Sequence, residues 1–312
     1  MALFAFDGTW QDSERDETSR WTNVTRFKDL YEQRFAQEVF YWGGVGTRLG
    51  QVGKYVGGGF GFGADTRVEE ALACAFAAHT KGDETIDIVG FSRGSAIACG
   101  FAWALQRWGL REAGPRPRFQ LASYYRGRLV KAQPAIRFMG LFDTVFATEA
   151  LLTSMPFLEA QRTKGLLDDK GMAWMDRFVP GMRRDFHLPG NVAAAAHALA
   201  IHERRIPFKA TRIGNAYETW FPGVHGDIGG GGSRRGISDT TLGWMLSKAR
   251  SAGLAFDSGD GPGDNVLQPP DDLLADTQRL YRTLRAGDRL HYSAMALPLG
   301  FAADRFLVET QA

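Results

Sequence analysis

Short apolar runs and longer segments of helical character alternate along this chain. The apolar runs contain many β-branched and aromatic residues and end in glycine or aspartate, which is the pattern of buried strands followed by turns. The predicted strand regions are LFAFD (Leu3–Asp7), VFYWGGVGT (Val39–Thr47, a strand followed by glycines), TIDIVGF (Thr85–Phe91), AIRFMGLFD (Ala135–Asp143) and the start of AYETWFPGVHGD (Ala216–Asp227).

Three segments between or after these strands are predicted to be helices: Arg67–His79, Ala96–Trp108 and Ser238–Ala252. In the first of them, apolar residues recur at helical spacing. The alanine-rich segment AAAAHALAIHERR (Ala193–Arg205) is predicted to be a helix as well. That assignment would place His197 and His202 within a helix.

The alternation of strands and helices predicts an α/β fold with a mostly parallel central sheet and helices on both faces. Neither a repeat nor a linker between two cores is visible, so residues 1–312 are expected to form a single domain. In a parallel sheet, functional side chains gather at the carboxyl ends of the strands. Ser92, Asp143 and His225 are reactive residues at three such ends.

Two less regular stretches interrupt the alternation and are predicted to be cap insertions over the sheet edge. The first, near residues 114–133, is basic and aromatic, with PRPRF and SYYRGR. The second, near residues 149–190, is rich in leucine, methionine, phenylalanine and tryptophan. Its apolar residues would suit an acyl chain, and they would equally suit ordinary core helices.

The composition narrows the classes of partner and compartment. The formal net charge of +2 gives no long-range field for nucleic acid, so no nucleic-acid partner is expected. The N-terminal residues lack the pattern of a signal peptide, and no apolar run is long enough to span a membrane, so synthesis in the cytoplasm is expected. Peripheral contact with a lipid surface remains compatible with this composition. Cys74 and Cys99 lie in apolar helical patterns and are interpreted as core residues.

The stretch IVGFSRGSA contains a serine framed by two glycines, Gly90-Phe-Ser92-Arg-Gly94. A G-x-S-x-G motif between a buried strand and a helix is typical of a nucleophile elbow, in which the tight turn lifts the serine hydroxyl away from the sheet. The alternative is a turn of small residues without chemistry. The strand–turn–helix context favours Ser92 as a nucleophile.

An oxyanion hole would accompany such a nucleophile. The backbone N–H of Arg93, directly after the serine, is the first predicted donor. The second donor is expected from Gly8 or Thr9, in the loop after the first strand. Asp7 either braces that loop by accepting backbone hydrogens or holds a cation, and we favour bracing.

A serine nucleophile needs a base, and in hydrolases with this elbow the base follows the serine in the chain. The histidines after Ser92 are His187, His197, His202, His225 and His291. His225 follows the TWFPGV strand end and is flanked by glycines, so its ring can approach another strand end. We therefore favour His225 as the base over a structural loop histidine.

The acid that orients the base is predicted to be Asp143, at the end of the strand FMGLFD. Its simpler interpretation is a residue that caps the next turn. Asp227 and Asp239 are the competing candidates. Asp227 lies only two residues from His225 and is better suited to bracing the loop.

No metal or organic cofactor is expected. The glycine loop Gly57–Gly63 lacks the G-x-x-x-x-G-K-[ST] pattern, and its glycine spacing is not that of a dinucleotide-binding turn.

Six motifs in one order carry a resemblance to a known family. They are FAFDGTW, GGVGT, VGFSRGSA, GLFDTV, HALAIHERR and WFPGVHGDIGGG, and they extend over Ala2–Trp244. The chain resembles the α/β-hydrolase family catalogued as domain of unknown function 2235, the catalytic part of type VI secretion lipase effectors, family one. The resemblance implies an α/β-hydrolase fold with Ser92 as nucleophile, Asp143 as acid and His225 as base.

The same resemblance implies an activity and partners. Family members are phospholipases that cleave acyl esters of glycerophospholipids, so the implied substrate is a phospholipid or another acyl ester. The implied partners are a secretion spike and an immunity protein, and the implied destination is the periplasm of a target cell. Two other interpretations stay open: a soluble esterase or thioesterase for small acyl substrates, and a hydrolase fold that binds a partner without catalysis.

Overall fold

The structure is a computed structural model that describes residues 1–8, 22–34, 38–44, 64–112, 127–145, 186–205, 208–231, 235–257, 259, 282, 284–296 and 305–309. The strands in this part of the chain are β1 (Ala2–Phe6), β2 (Val39–Trp42), β3 (Ile86–Phe91), β4 (Leu110–Arg111), β5 (Leu129–Lys131), β6 (Ile136–Phe142), β7 (Val192–Ala200), β8 (Tyr217–Phe221), β9 (Arg289–His291) and β10 (Leu307–Glu309). The helices are α1 (Asn23–Arg34), α2 (Ala64–Thr80), α3 (Arg93–Trp108), α4 (His225–Gly229) and α5 (Gly236–Ser251), with a 3₁₀ turn at Tyr292–Ala296.

Eight of these strands form one sheet in the order β10-β9-β8-β7-β6-β3-β1-β2. Every strand pair in that sheet is parallel. Because parallel strands end at one edge, the residues after β3, β6 and β8 are brought to the same side of the molecule. Strands β4 and β5 form a separate antiparallel pair.

Helices cover both faces of the sheet, and alternate side chains of each strand supply the two layers. From β1, Phe4 and Phe6 pack with residues of α2 and α3. Leu3 and Ala5 point the other way and pack with residues of α1 and α5. The period of two along β1 thus builds both cores at once. This architecture confirms the predicted α/β class with a mostly parallel central sheet, and its strand–elbow–helix unit is that of α/β-hydrolases.

The helix predicted over Ala193–Arg205 is wrong. The segment Val192–Ala200 is strand β7, between β6 and β8. Alanine has the highest intrinsic helix propensity, but propensities differ by less than about 1 kcal/mol per residue for ordinary residues and tertiary pairing overrides them. In β7 the backbone is paired on both sides, and small side chains there leave room for the packed layers. His197 therefore lies on a strand, fully buried, and His202 lies just after it.

The other predicted strands and helices are present with shifted ends. His225 differs in detail, because it is the first residue of the short helix α4 rather than a loop residue. Cys99 is buried and Cys74 is half-buried, as expected of core residues. The described helices include none that is long and apolar enough to span a bilayer.

The predicted cap insertions fall mostly outside the described residues. Of the first, near 114–133, the structure describes 127–133, which includes the edge strand β5. Of the second, near 149–190, it describes 186–190, where Phe186 and Leu188 are buried in the core layer beside α3. The cap role of both stretches stays a prediction.

Candidate active site

Ser92 occupies a sharp turn between the end of β3 and the start of α3. Its backbone has φ 58° and ψ −123°, a left-handed conformation that costs a non-glycine residue about 1–3 kcal/mol. The flanking glycines make the turn possible. A Cβ on Gly90 would lie 2.7 Å from Cα of Ser95, and one on Gly94 would lie 2.2 Å from the carbonyl oxygen of Phe6. The sequence motif is therefore a strained strand-to-helix turn.

The structure brings Ser92, His225 and Asp143 together in series. Nε2 of His225 lies 2.8 Å from Oγ of Ser92, and Nδ1 lies 2.6 Å from Oδ2 of Asp143. All three residues are buried, with Asp143 completely inaccessible to solvent. An ionised carboxylate only accepts hydrogen bonds, so the Nδ1–H of His225 donates to Asp143 and Nε2 is left to accept from the hydroxyl. This arrangement can pass a proton from Ser92 to the imidazole.

Backbone hydrogen bonds hold the strand ends that carry these groups. The N–H of Ser92 donates to the carbonyl of Phe142 at 2.9 Å, which ties the end of β3 to that of β6. The N–H of Asp143 donates to Ala198 on β7 at 2.7 Å. Asp143 has φ 42°, a second left-handed backbone conformation directly after a strand. Its carboxylate oxygen Oδ1 accepts the N–H of Ala200 at 2.9 Å.

Asp143 also forms a buried ion pair that the sequence did not suggest. The guanidinium of Arg282 donates to both carboxylate oxygens, at 2.5 Å and 2.9 Å. Burial alone would raise the pKa of Asp143, but the charge of Arg282 and the hydrogen bonds from His225 and Arg282 outweigh it. The pKa of Asp143 therefore lies well below its ordinary value, and the carboxylate is ionised at neutral pH.

Aromatic rings and a second carboxylate surround His225. Its ring centroid lies 4.7 Å from that of Phe91 and 4.7 Å from that of Phe208, the latter in an edge-on arrangement. Its backbone N–H donates to Glu203 at 3.1 Å, and Glu203 in turn binds the guanidinium of Arg205. Hydrogen bonding to Arg205 and His225 offsets burial and lowers the pKa of Glu203. The two aromatic rings therefore pack against the imidazole, and Glu203 holds the backbone of His225.

Asp227 has the bracing role expected for it. Its carboxylate accepts the N–H of Val224 at 2.9 Å, which closes the first turn of α4. Asp239, the other competing acid, pairs with Arg26 at 2.7 Å near the start of α5.

The remaining histidines have other partners. His197 accepts the N–H of Thr144 through Nε2 at 3.1 Å, and its Nδ1 lies 3.1 Å from Glu218. His202 accepts the N–H of Gly223 through Nδ1 at 2.9 Å, and burial together with the charge of Arg204 lowers the pKa of His202 to about 4. Two further histidines contact other residues: His291 on β9 bonds to Ser293, and His187 lies against Gly214.

The structure describes Arg93 and Gly8, two of the three residues predicted to supply the oxyanion hole. Arg93 begins α3, so its N–H lies at the positive end of that helix next to Ser92. Burial lowers the pKa of the Arg93 side chain to about 10, so it stays protonated at neutral pH. The N–H of Gly8 donates to Oδ1 of Asp7 at 2.7 Å. Gly8 can therefore donate to an oxyanion only if it gives up this hydrogen bond. Thr9 lies outside the described residues.

Asp7 forms the hydrogen bonds of a bracing residue. Besides Gly8, it accepts the hydroxyls of Thr22 at 2.8 Å and Tyr41 at 2.9 Å. Among the described residues, no group of three or more His, Cys, Asp or Glu side chains is arranged to hold a metal ion.

Two residues at the site, Glu203 and Arg282, were not predicted from the sequence. Glu203 lies in the HERR stretch of a family motif, which was a usable signal. Arg282 is one of several basic residues in RLYRTLR, and nothing in that local pattern distinguishes it from its neighbours.

One family model matches most of the sequence. The model of the family described as "T6SS, Phospholipase effector Tle1-like, catalytic domain" matches residues 2–128 and 115–248. No curated protein matches the chain in sequence.

Three solved structures resemble the chain at low sequence identity. An uncharacterized protein from Pseudomonas aeruginosa is 18% identical over 86% of this chain and 47% of its own, with a TM-score of 0.44. The Tle1 effector bound to the VgrG spike of the type VI secretion system is 21% identical over 73% of this chain and 50% of its own, with a TM-score of 0.42. The RedJ thioesterase of the prodiginine pathway in Streptomyces coelicolor is 15% identical over 80% of this chain and 90% of its own, with a TM-score of 0.36.

The chain spans about half the length of the first two of these structures. The family match covers most of the sequence and includes Ser92, Asp143 and His225 themselves. The chain therefore belongs to the family of Tle1-like phospholipase effectors of the type VI secretion system, whose catalytic domain it matches.

Proposed function

We propose that this protein is a serine hydrolase that cleaves carboxylic esters of phospholipids, an activity of the phospholipase A type. The observation that carries the proposal is the hydrogen-bonded series from Oγ of Ser92 through His225 to Asp143. Family membership supports the lipid as substrate. The left-handed turn at Ser92 supports the same role, because strained backbone of this kind is concentrated at functional sites.

In the proposed reaction, Nε2 of His225 takes the proton of Ser92 as Oγ attacks the ester carbonyl carbon. Asp143 accepts the Nδ1–H of His225 and stabilises the imidazolium that forms. The tetrahedral intermediate collapses, the C–O bond to the glycerol breaks, and His225 gives its proton to the leaving lysophospholipid. A water molecule, deprotonated by His225, then cleaves the acyl-enzyme to a fatty acid and free Ser92.

The negative charge on the carbonyl oxygen needs donors that are already oriented. The N–H of Arg93 and the amino end of α3 are available directly after the nucleophile. One such donor contributes about 3 kcal/mol to the stability of the transition state. We assign the second donor to the loop at Gly8 and Thr9, as the elbow geometry of hydrolases suggests.

We further propose that the protein is delivered as an antibacterial effector, with a secretion spike and an immunity protein as partners. Family membership supports this delivery. In this role, synthesis takes place in the cytoplasm of the producing cell and the lipid is attacked from the periplasm of the target.

Fatty-acid release from vesicles of phosphatidylethanolamine and phosphatidylglycerol tests the activity. We expect release by the parent and none by Ser92→Ala, together with loss of labelling by a fluorophosphonate probe. Ser95→Ala is the matched control, because Ser95 is a buried serine in the first turn of α3 whose hydroxyl donates a long 3.4 Å bond to the carbonyl of Phe142. Labelling of Ser92→Ala at the parental level would refute the nucleophile. Hydrolysis of short p-nitrophenyl esters without vesicle hydrolysis would instead identify an esterase for small substrates.

A further inference from the structure

The carboxylate of Asp143 accepts hydrogen bonds from three residues. Oδ2 accepts Nδ1–H of His225 at 2.6 Å and a guanidinium N–H of Arg282 at 2.9 Å. Oδ1 accepts the other arm of Arg282 at 2.5 Å and the N–H of Ala200 at 2.9 Å. A carboxylate has about four acceptor positions, so these four bonds satisfy it.

Arg282 is itself held in place. Its side chain is 5% exposed, and its guanidinium also donates to the carbonyls of Ala200 at 2.8 Å and Phe208 at 2.5 Å. Phe208 contacts the ring of His225 edge-on. Arg282 therefore connects the end of β7, the carboxylate of Asp143 and Phe208, which packs against His225. A cation buried this deeply is tolerated because it is paired.

We propose that Arg282 is a positioning residue that holds the carboxylate of Asp143 ionised and aligned with Nδ1 of His225. The inference rests on the proposed hydrolysis by Ser92. An unpaired, buried aspartate beside a histidine carries a net negative charge and readily takes up a proton. A cation on the same carboxylate offsets that charge, so Asp143 stays ionised and keeps accepting the Nδ1–H of His225.

Other charged and titratable groups also face the pair. Glu203 accepts the N–H of His225, and Arg205 binds Glu203 and interacts with Asp143. Asp227 lies on α4, His202 lies beside Gly223, and Arg93 lies next to Ser92. All of these remain when Arg282 alone is replaced. A shift between parent and variant therefore measures Arg282.

The test compares Arg282→Gln with Arg282→Lys. Glutamine removes the charge but keeps a hydrogen-bond donor, whereas lysine keeps the charge without the paired geometry. Arg137→Gln is the matched control, because Arg137 makes a bidentate pair with the buried Asp87 near the opposite end of β6. The readouts are the rate of fluorophosphonate labelling and kcat/KM for ester hydrolysis, each measured against pH, with thermal unfolding as a check of folding.

We expect the acid limb of both profiles to move to higher pH by about one unit or more in Arg282→Gln. Arg282→Lys should keep the parental limb while its maximal rate falls, and Arg137→Gln should keep both. An unshifted limb in a folded Arg282→Gln protein would overturn the proposal and leave Arg282 a structural residue. If Arg282→Gln does not fold, a shifted limb in Arg282→Lys would also overturn it, because the charge is still present there.

The outcome for the parent separates the two levels of inference. A parent that neither hydrolyses esters nor is labelled at Ser92 refutes the proposed function. A parent that is active, with an Arg282→Gln profile that matches it, refutes only the role of Arg282.

Discussion

The elbow glycine Gly94 offers a sharp test, because the structure states what an added methyl group would meet. A Cβ at this position would lie 2.2 Å from the carbonyl oxygen of Phe6 and 2.5 Å from that of Asp7. Both atoms belong to the backbone of β1 and the residue after it, so no side-chain rotation can relieve the contact. Strand β1 is paired on both sides in the sheet, with β2 and β3.

The size of the effect of Gly94→Ala follows from these distances. Real Cβ contacts are essentially never shorter than 3.0 Å, so β1 and the start of α3 must separate by close to 1 Å. Overpacking of this kind costs about 1–3 kcal/mol of the free energy of unfolding. A displacement of about 1 Å at a reacting group lowers the rate by about 100-fold. We therefore expect Gly94→Ala to lose both stability and activity.

Gly226→Ala is the matched control. Gly226 directly follows His225, lies in a helix, and has no atom within 4 Å of a Cβ built on it. It adds the same methyl group beside the other half of the site, so we expect nearly parental behaviour. Urea denaturation gives the free energy of unfolding, and the labelling rate with a fluorophosphonate gives the reactivity of Ser92. Parental values for Gly94→Ala, or equal losses in both variants, would refute this account of the elbow.

Two further predictions concern Asp143 and His202. Asp143→Asn replaces the acceptor of the Nδ1–H of His225 with a group that can donate. We therefore expect kcat to fall by about 10⁴-fold, the loss seen for the same change in a serine protease triad. The control Asp87→Asn alters a buried aspartate on β3 far from Ser92 and should keep the rate per folded molecule, so a similar fall there would contradict the assignment. The pKa of His202 is lowered by burial to about 4, so the folded protein binds fewer protons than the unfolded chain between pH 6.5 and 4. Stability should therefore decline as the pH falls through that window, and His202→Gln should reduce this decline in urea titrations at several pH values; an equally steep decline in the variant would show that other groups cause it.

Much of the fold was predictable because local patterns agreed with the final structure. Strands β1, β3 and β6 are mostly apolar because both of their faces are covered by helices, and the charged residues of β3 and β6, Asp87 and Arg137, pair with each other. The exception is β7, where alanine after alanine satisfied a helical pattern equally well. Its conformation is decided by β6 and β8, which supply hydrogen-bond partners on both sides.

The residues of the site also differ in whether local sequence patterns predict them. Ser92 was predictable because its turn requires glycines at fixed positions, and that steric requirement is local. His225 and Asp143 were predictable as strand-end residues in the right order. Arg282 was not, because its function depends on a contact with a residue 139 positions away in the chain.

The sequence by itself thus determined the α/β class, the elbow and the three residues aligned in the site, since each depends on local geometry or on the shared edge of parallel strands. Only the tertiary structure decided that an alanine-rich segment is a central strand and that an arginine shares the carboxylate of Asp143. Both depend on which distant groups meet, and a pairing between distant groups leaves no periodicity in the chain.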